Sequence, residues 1–275
     1  MFLLAFQAAN EAAPRDAAVF AMLACSTLFN AGFGATRLRG MPRRPPRVAV
    51  IATLVLAGLT IVGNVGVAGA LGHLDPGLTS TILQTQVFVV GVGGWLFLRE
   101  AITPAFWVGA VFAVAGFAVI AIDDPSEAKI ELLGVLFALL GALGFGAMLV
   151  YTRKVIAEID PVGVNVARLA LAVLVMGLYL GPTGGLAAIP AEAWAMTALA
   201  AACRLCLMFA VRHISASRAK LLTLSTPLFA FALEVAFLGD IPSLRELGGA
   251  ALILAGVVVP VVSGRSGRRD PRTTG

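Results

Sequence analysis

Charge is scarce in this chain. Only 13% of its 275 residues are Asp, Glu, Lys or Arg, 59% are hydrophobic, and the mean hydropathy is +0.95. A soluble globular domain carries roughly 25% charged residues, so a water-facing surface of ordinary polarity is excluded. Cysteine is scarce too. Cys25, Cys203 and Cys206 all lie inside apolar runs, which excludes a secreted disulfide framework and a loop-borne zinc knuckle. The C-x-x-C at 203–206 sits within a helix rather than ahead of one, where small soft packing residues fit better than redox chemistry. There are two histidines, His73 and His213, both at the ends of apolar runs, and no H-E-x-x-H, no paired catalytic aspartates and no Gly-rich P-loop. An intramembrane enzyme and an ATP-driven pump therefore lack their chemistry, and no cofactor or metal is called for. The opening "MFLLAF" has no basic n-region, so a cleavable signal peptide is not read either.

Long apolar runs are what the chain has. They predict nine full spans near 17–36, 48–71, 78–98, 104–122, 131–152, 161–181, 192–211, 219–238 and 244–262, separated by charged or Pro- and Gly-rich punctuation such as "RLRGMPRRPPR", "GHLDPG" and "DDPSEAK". Thr103 before Pro104 predicts a capped helix start, and Ser243 with Glu246 a capping box. Met1–Ala13 makes only about 20 Å of helix against roughly 30 Å of hydrocarbon. It is expected to be a truncated helix, or to continue a segment lying upstream. Of the twenty Lys and Arg residues, fifteen fall on one side of the membrane and only Arg15, Lys129 and Arg245 on the other, while Arg168 and Arg204 lie within spans. That asymmetry predicts a cytoplasmic C-terminus and explains the net charge of +5 without a nucleic-acid partner.

The chain also says one thing twice. "GHLDPGLTSTILQTQVFVVGVGGWLFLREAIT" at 72–103 and "RHISASRAKLLTLSTPLFAFALEVAFLGDIPS" at 212–243 align at a constant offset of 140, pairing His73 with His213, Phe97 and Leu98 with Phe237 and Leu238, Glu100 with Asp240, and Thr103 with Ser243. Gly109, Ala110, Ala115 and Gly116 then pair with Gly249, Ala250, Ala255 and Gly256. Upstream, with a shifted register, "AMLA" at 21–24 meets "ARLA" at 167–170. Shared caps and glycines are stronger evidence of duplication than shared leucines. The second copy holds five spans. An odd number forces a preceding equivalent unit to enter the bilayer from the opposite side, so two inverted five-helix repeats are expected, at 1–124 and 130–263, with a basic tail at 264–275.

The arginine-bearing helix "NVARLALAV", the helix "LSTPLFAFALEVAFLGD" closing on an acidic residue, and a last helix rich in Gly and Ala resemble the drug/metabolite transporter superfamily, in its EamA-like branch. The resemblance covers about Pro14 to Val262. It implies an all-α polytopic protein of the cell (inner) membrane that carries small metabolites by alternating access, often an exporter of amino acids or related solutes. A membrane sensor or scaffold of the same descent is the alternative. The chain departs from the pattern in its short first helix and in Met22, where the second repeat has Arg168.

Polar side chains at membrane depth are costly and normally face a wet cavity or one another. Asn64 and Arg204 stand at equivalent places, and Arg204 suits a carboxylate or phosphate of the substrate. Gln84, one turn from Ser80, is chosen over Gln86 as the cavity-lining glutamine. Arg168 is either a cavity cation or a structural anchor. Glu234 is a candidate for proton coupling, or else a buried partner for an arginine. Pro227 is a candidate hinge. Trp95, Trp107 and Trp194 read as interface anchors. The expected partners are a small-molecule substrate and the lipid bilayer.

Overall fold

The computed structural model describes residues 2–38, 46–121, 128–187, 189–212, 226–237, 239 and 242–263. His213, Asp240, the arginines at 39, 43 and 44 and the tail at 264–275 lie outside the described residues. In chain order the helices are α1 (Phe2–Ala12), α2 (Arg15–Leu38), α3 (Arg47–Leu71), α4 (Pro76–Leu83), α5 (Gln86–Leu98), α6 (Pro104–Ala121), α7 (Ala128–Val155), α8 (Pro161–Leu180), α9 (Ala191–Arg212), α10 (Thr226–Phe237) and α11 (Leu244–Ser263). No strand occurs among the described residues. Five stretches are long and apolar enough to cross a bilayer: 15–34, 47–71, 76–98, 132–155 and 161–180. Large apolar side chains such as Leu28, Val111 and Leu178 stand more than half exposed on the outside of the bundle, as lipid contact requires. This is a polytopic membrane protein.

Local chemistry sets the helix ends. Asp160 accepts a hydrogen bond from the Gly163 amide at 2.9 Å, and Pro161 follows at the first helical position, so α8 starts there. At α11 the amide of Ser243 donates to Glu246 Oε2 at 2.6 Å and the amide of Glu246 donates to Ser243 Oγ at 3.2 Å, a complete capping box. Two of the three basic residues on the sparse side also meet helix C-termini. Arg245 donates from Nε to the Val119 carbonyl near the end of α6 at 2.6 Å, and the Arg15 guanidinium lies over Gly72 just past α3, with Nη2 3.3 Å from His73 Nε2. Cations are favourable where orphan carbonyls gather.

The span expected at 78–98 is not one regular helix. At its centre the amides of Gln84, Thr85, Val87 and Phe88 bond three residues back, and Thr85 Oγ1 donates to the Ile82 carbonyl at 2.6 Å, separating α4 from α5. Such a 3₁₀ interruption has no proline or glycine to announce it. Pro227, by contrast, lies in the first turn of α10, where a missing N–H costs little.

Helices pack in matched pairs: α3 with α7 and α1 with α9, then α2 with α9 and α3 with α8. Two further contacts, α2 with α8 and α6 with α11, are made by elements equivalent under the sequence offset. The α6–α11 contact is reciprocal. A methyl group on Gly116 would sit 2.7 Å from the Gly249 carbonyl oxygen, and one on Gly256 would strike the Gly109 carbonyl and come within 2.9 Å of the Ala113 amide. Since Gly109 and Gly116 correspond to Gly249 and Gly256, each element offers the other the same surface, in antiparallel register, as at an isologous interface. Contact between α2 and α8 is antiparallel too, through Asn30 with Asn165 and Phe20 with Gly177.

The largest apolar core gathers Phe6, Val19, Met22, Leu23, Val67 and Ala200 from α1, α2, α3 and α9. Trp194 belongs beside it, edge-on to Phe20 with ring centroids 6.2 Å apart. It is a packing residue, unlike Trp95 and Trp107, which point outward as expected of anchors.

Candidate functional site

Buried polar side chains concentrate on α3 and α4: Thr60 and Asn64 on the first, Thr79, Ser80, Thr81 and Gln84 on the second, with Glu234 opposite on α10. Their amides and hydroxyls are only partly used. Asn64 Nδ2 donates to the Thr60 carbonyl at 2.8 Å, and Asn10 Nδ2 on α1 donates to the Ala68 carbonyl at 2.7 Å. Both amide nitrogens are thereby committed to backbone acceptors, and both Oδ1 atoms are left facing inward. Buried Gln7 Oε1, Asn10 Oδ1, Asn64 Oδ1, Thr79 Oγ1 and Ser80 Oγ find no hydrogen-bond partner among the described residues.

Helix register puts these oxygens at matching levels of α1, α3 and α4, which touch one another. Arg15 lies over Gly72 and Asn10 bonds at Ala68, so α1 ascends alongside α3 in the same direction. One turn lower, Gln7 on α1 faces the level of Asn64 on α3. The chain turns back at Gly72–Asp75, and α4 brings Thr79 and Ser80 to the level of Ala68, with Gln84 a further turn down beside Asn64. The result is a polar seam between α1, α3 and α4 in which three amide oxygens and two hydroxyls await donors. A buried unsatisfied group costs about 1–3 kcal/mol. Five such groups would offset much of a domain's net stability of roughly 5–15 kcal/mol, so water or a solute belongs there.

A second polar group abuts the seam through Thr60. Arg168 donates from Nε and Nη2 to Asn165 Oδ1 at 3.0 and 2.7 Å, and from Nη1 to Thr60 Oγ1 and to Met148 Sδ, the latter at 3.1 Å. Asn165 Nδ2 in turn donates to Asn30 Oδ1 at 2.9 Å, and Asn30 Nδ2 to the Ser26 carbonyl at 2.8 Å. The arginine thus ties α8 to α3, α7 and α2. The corresponding place in the other half is apolar throughout, with buried Met22 for Arg168 and buried Ala200 for Thr60.

Glu234 stands at the start of α4. Its Oε2 accepts from the amide of Gly77 at 2.9 Å, in the first turn of α4, while Asp75 at the N-cap makes no side-chain cap. A carboxylate at a helix N-terminus meets orphan amides and the positive end of the macrodipole. Gly77 is required for the approach, since a methyl group there would enter the Phe231 ring.

Of the residues selected from sequence, Asn64, Ser80 and Gln84 fall together in the seam, Arg168 joins it through Thr60, and Glu234 meets the first turn of α4. Gln86 is half-exposed where Gln84 is buried. The side chains of Arg204 and Cys206 lie outside the described residues, though α9 contains both positions. Gln7 and Asn10 are additions. They lie one turn apart on one face of α1, a spacing visible in "FQAAN". No cluster of metal-binding side chains occurs among the described residues.

Comparison with known proteins finds a family match within the later part of the chain. Residues 132–262 match the EamA-like transporter family. That segment, just under half of the chain, is similar to EamA-like transporters. The match bears out the resemblance to the EamA branch of the drug/metabolite transporters. The uncharacterized transporter YvbV of Bacillus subtilis (strain 168) is 31% identical over 101 residues, 37% of this chain and 33% of that protein. The matched stretch therefore spans about a third of that relative's length. A solved crystal structure 17% identical in sequence covers 96% of both chains with a TM-score of 0.53, a likeness of fold alone.

Proposed function

We propose that the EamA-like chain is a secondary transporter of small organic solutes, working by alternating access of two inverted five-helix halves, 1–124 and 130–263, around the seam. The observation that carries this reading is the set of five buried oxygens without partners between α1, α3 and α4. Water alone fills such a seam between turnovers; a solute bearing hydrogen-bond donors fills it during one. The reciprocal antiparallel packing of α6 on α11 supports the inverted arrangement, because a twofold axis across antiparallel helices lies in the membrane plane. The family match favours transport over catalysis.

The substrate is read as an amino acid or a related amine-bearing metabolite, with its donors on Asn64, Asn10, Gln7 and Ser80 and its anionic end toward Arg204, the counterpart of Asn64 in the second half. Export across the cell membrane, which the family resemblance implies, and a cytoplasmic C-terminus, which follows the distribution of Lys and Arg, complete the proposal. Counterflow of labelled amino acids into proteoliposomes tests it. Asn64→Leu and Ser80→Ala are expected to lower flux at least tenfold while the protein stays folded. Absence of counterflow across the panel, or full flux in both variants, would contradict the reading.

A further inference from the structure

Away from the seam, α3, α5 and α7 enclose an apolar groove of about 680 Å³. Its walls include Leu59, Phe88, Val92, Phe97, Leu143 and Val150, and its only polar lining side chains are Tyr151 and Lys154. A polar solute finds nothing to bond along this surface. The length of the groove is informative. On α7 it runs from Leu143 to Lys154, about 16 Å at 1.5 Å per residue, and half of a 30 Å hydrocarbon core is about 15 Å. It is therefore one leaflet deep, with its charged residue at the outer end and its inner end near the bilayer centre.

The mouth is basic. Lys154 lines it, Arg153 precedes Lys154 in the exposed last turn of α7, and exposed Arg99 ends α5 two residues beyond Phe97. Glu100, the neighbouring carboxylate, turns back over Gly94. Tyr151 places an amphipathic ring just inside the charges, as at a membrane interface.

The geometry points to a binding site for an anionic phospholipid, one acyl chain lying in the groove and the headgroup phosphate held by Lys154, Arg153 and Arg99. Charge complementarity selects the headgroup, and the depth of one leaflet selects an acyl chain over a peptide or a second copy of the chain. One wall, α5, follows the 3₁₀ interruption at Gln84–Thr85, so an acyl chain lodged there braces the half-span that the interruption leaves separate from α4.

The full chain in vesicles of phosphatidylglycerol and phosphatidylcholine, with a trace of either lipid carrying a photoactivatable acyl chain, provides the test. The phosphatidylglycerol probe is expected to label 88–97 and 143–151 severalfold above outward positions of α6 such as Val111 and Val114. Arg153→Gln with Lys154→Gln should lower that labelling by about fivefold per charge removed and leave the phosphatidylcholine probe unchanged. Ala147→Trp, which fills the groove, should abolish the focused labelling by the phosphatidylglycerol probe. Even labelling around the bundle, or focused phosphatidylglycerol labelling that survives loss of both charges, would overturn the assignment.

Discussion

Single residues reach across long sequence separations here. Glu234 and Gly77 are 157 positions apart, yet one carboxylate oxygen organises the start of α4. The sequence marks Glu234 as an unusual charge at depth, but nothing in "LDPGL" says that its own Asp75 leaves the amides of that turn uncapped. His73 is a similar case at the bundle's edge, just past α3. Burial first, and the neighbouring Arg15 guanidinium second, hold its imidazole below the ordinary value of 6.5. The unfolded chain therefore binds a proton that the folded chain resists. This contribution to stability is complete above pH 6.5 and declines as pH falls from there toward the folded value. His73→Gln is expected to flatten the slope of thermal stability between pH 7 and 5, measured by unfolding in detergent; an unchanged slope would remove His73 as its source.

Among the elements, close backbone approach decides the packing of α3 on α7. A methyl group on Gly66 would collide with the Gly141 backbone, and one on Gly144 would lie 2.7 Å from the Gly63 amide, whereas Gly58 on the same helix has open space around its Cα. Gly66→Ala should therefore destabilise by about 1–3 kcal/mol through overpacking, while Gly58→Ala should be neutral or stabilise by up to about 1 kcal/mol through helix propensity. Paired melting curves check the contrast, and equal effects would refute the contact. The five stretches long and apolar enough to cross a bilayer are legible in the sequence, because 20-residue apolar runs and their charged stops record the hydrocarbon thickness directly. Two features are not. The run 78–98 is apolar through Gln84 and Thr85, so the switch to bonds three residues back depends on packing rather than on any local breaker. Gln7 and Asn10 are not legible as site residues because the sequence of an 11-residue α1 does not say what its polar face touches, which only the Asn10–Ala68 bond reveals.

At the scale of the whole molecule, the halves agree in framework and differ in lining. Gly109, Gly116, Gly249 and Gly256 pack reciprocally, while Arg168 and Thr60 in one place answer to Met22 and Ala200 in the other. In the proposed function, a twofold frame with unlike linings would let one polar pocket be approached alternately from two sides without being the same pocket twice. The frame is the central claim, and topology tests it most directly. In a chain with its native cysteines replaced by alanine, Gly72→Cys and Arg212→Cys mark corresponding ends of α3 and α9. Membrane-impermeant thiol labelling of intact cells should modify the first only, with the second reacting after the membrane is opened; both cysteines labelling from the same compartment would contradict the inverted arrangement.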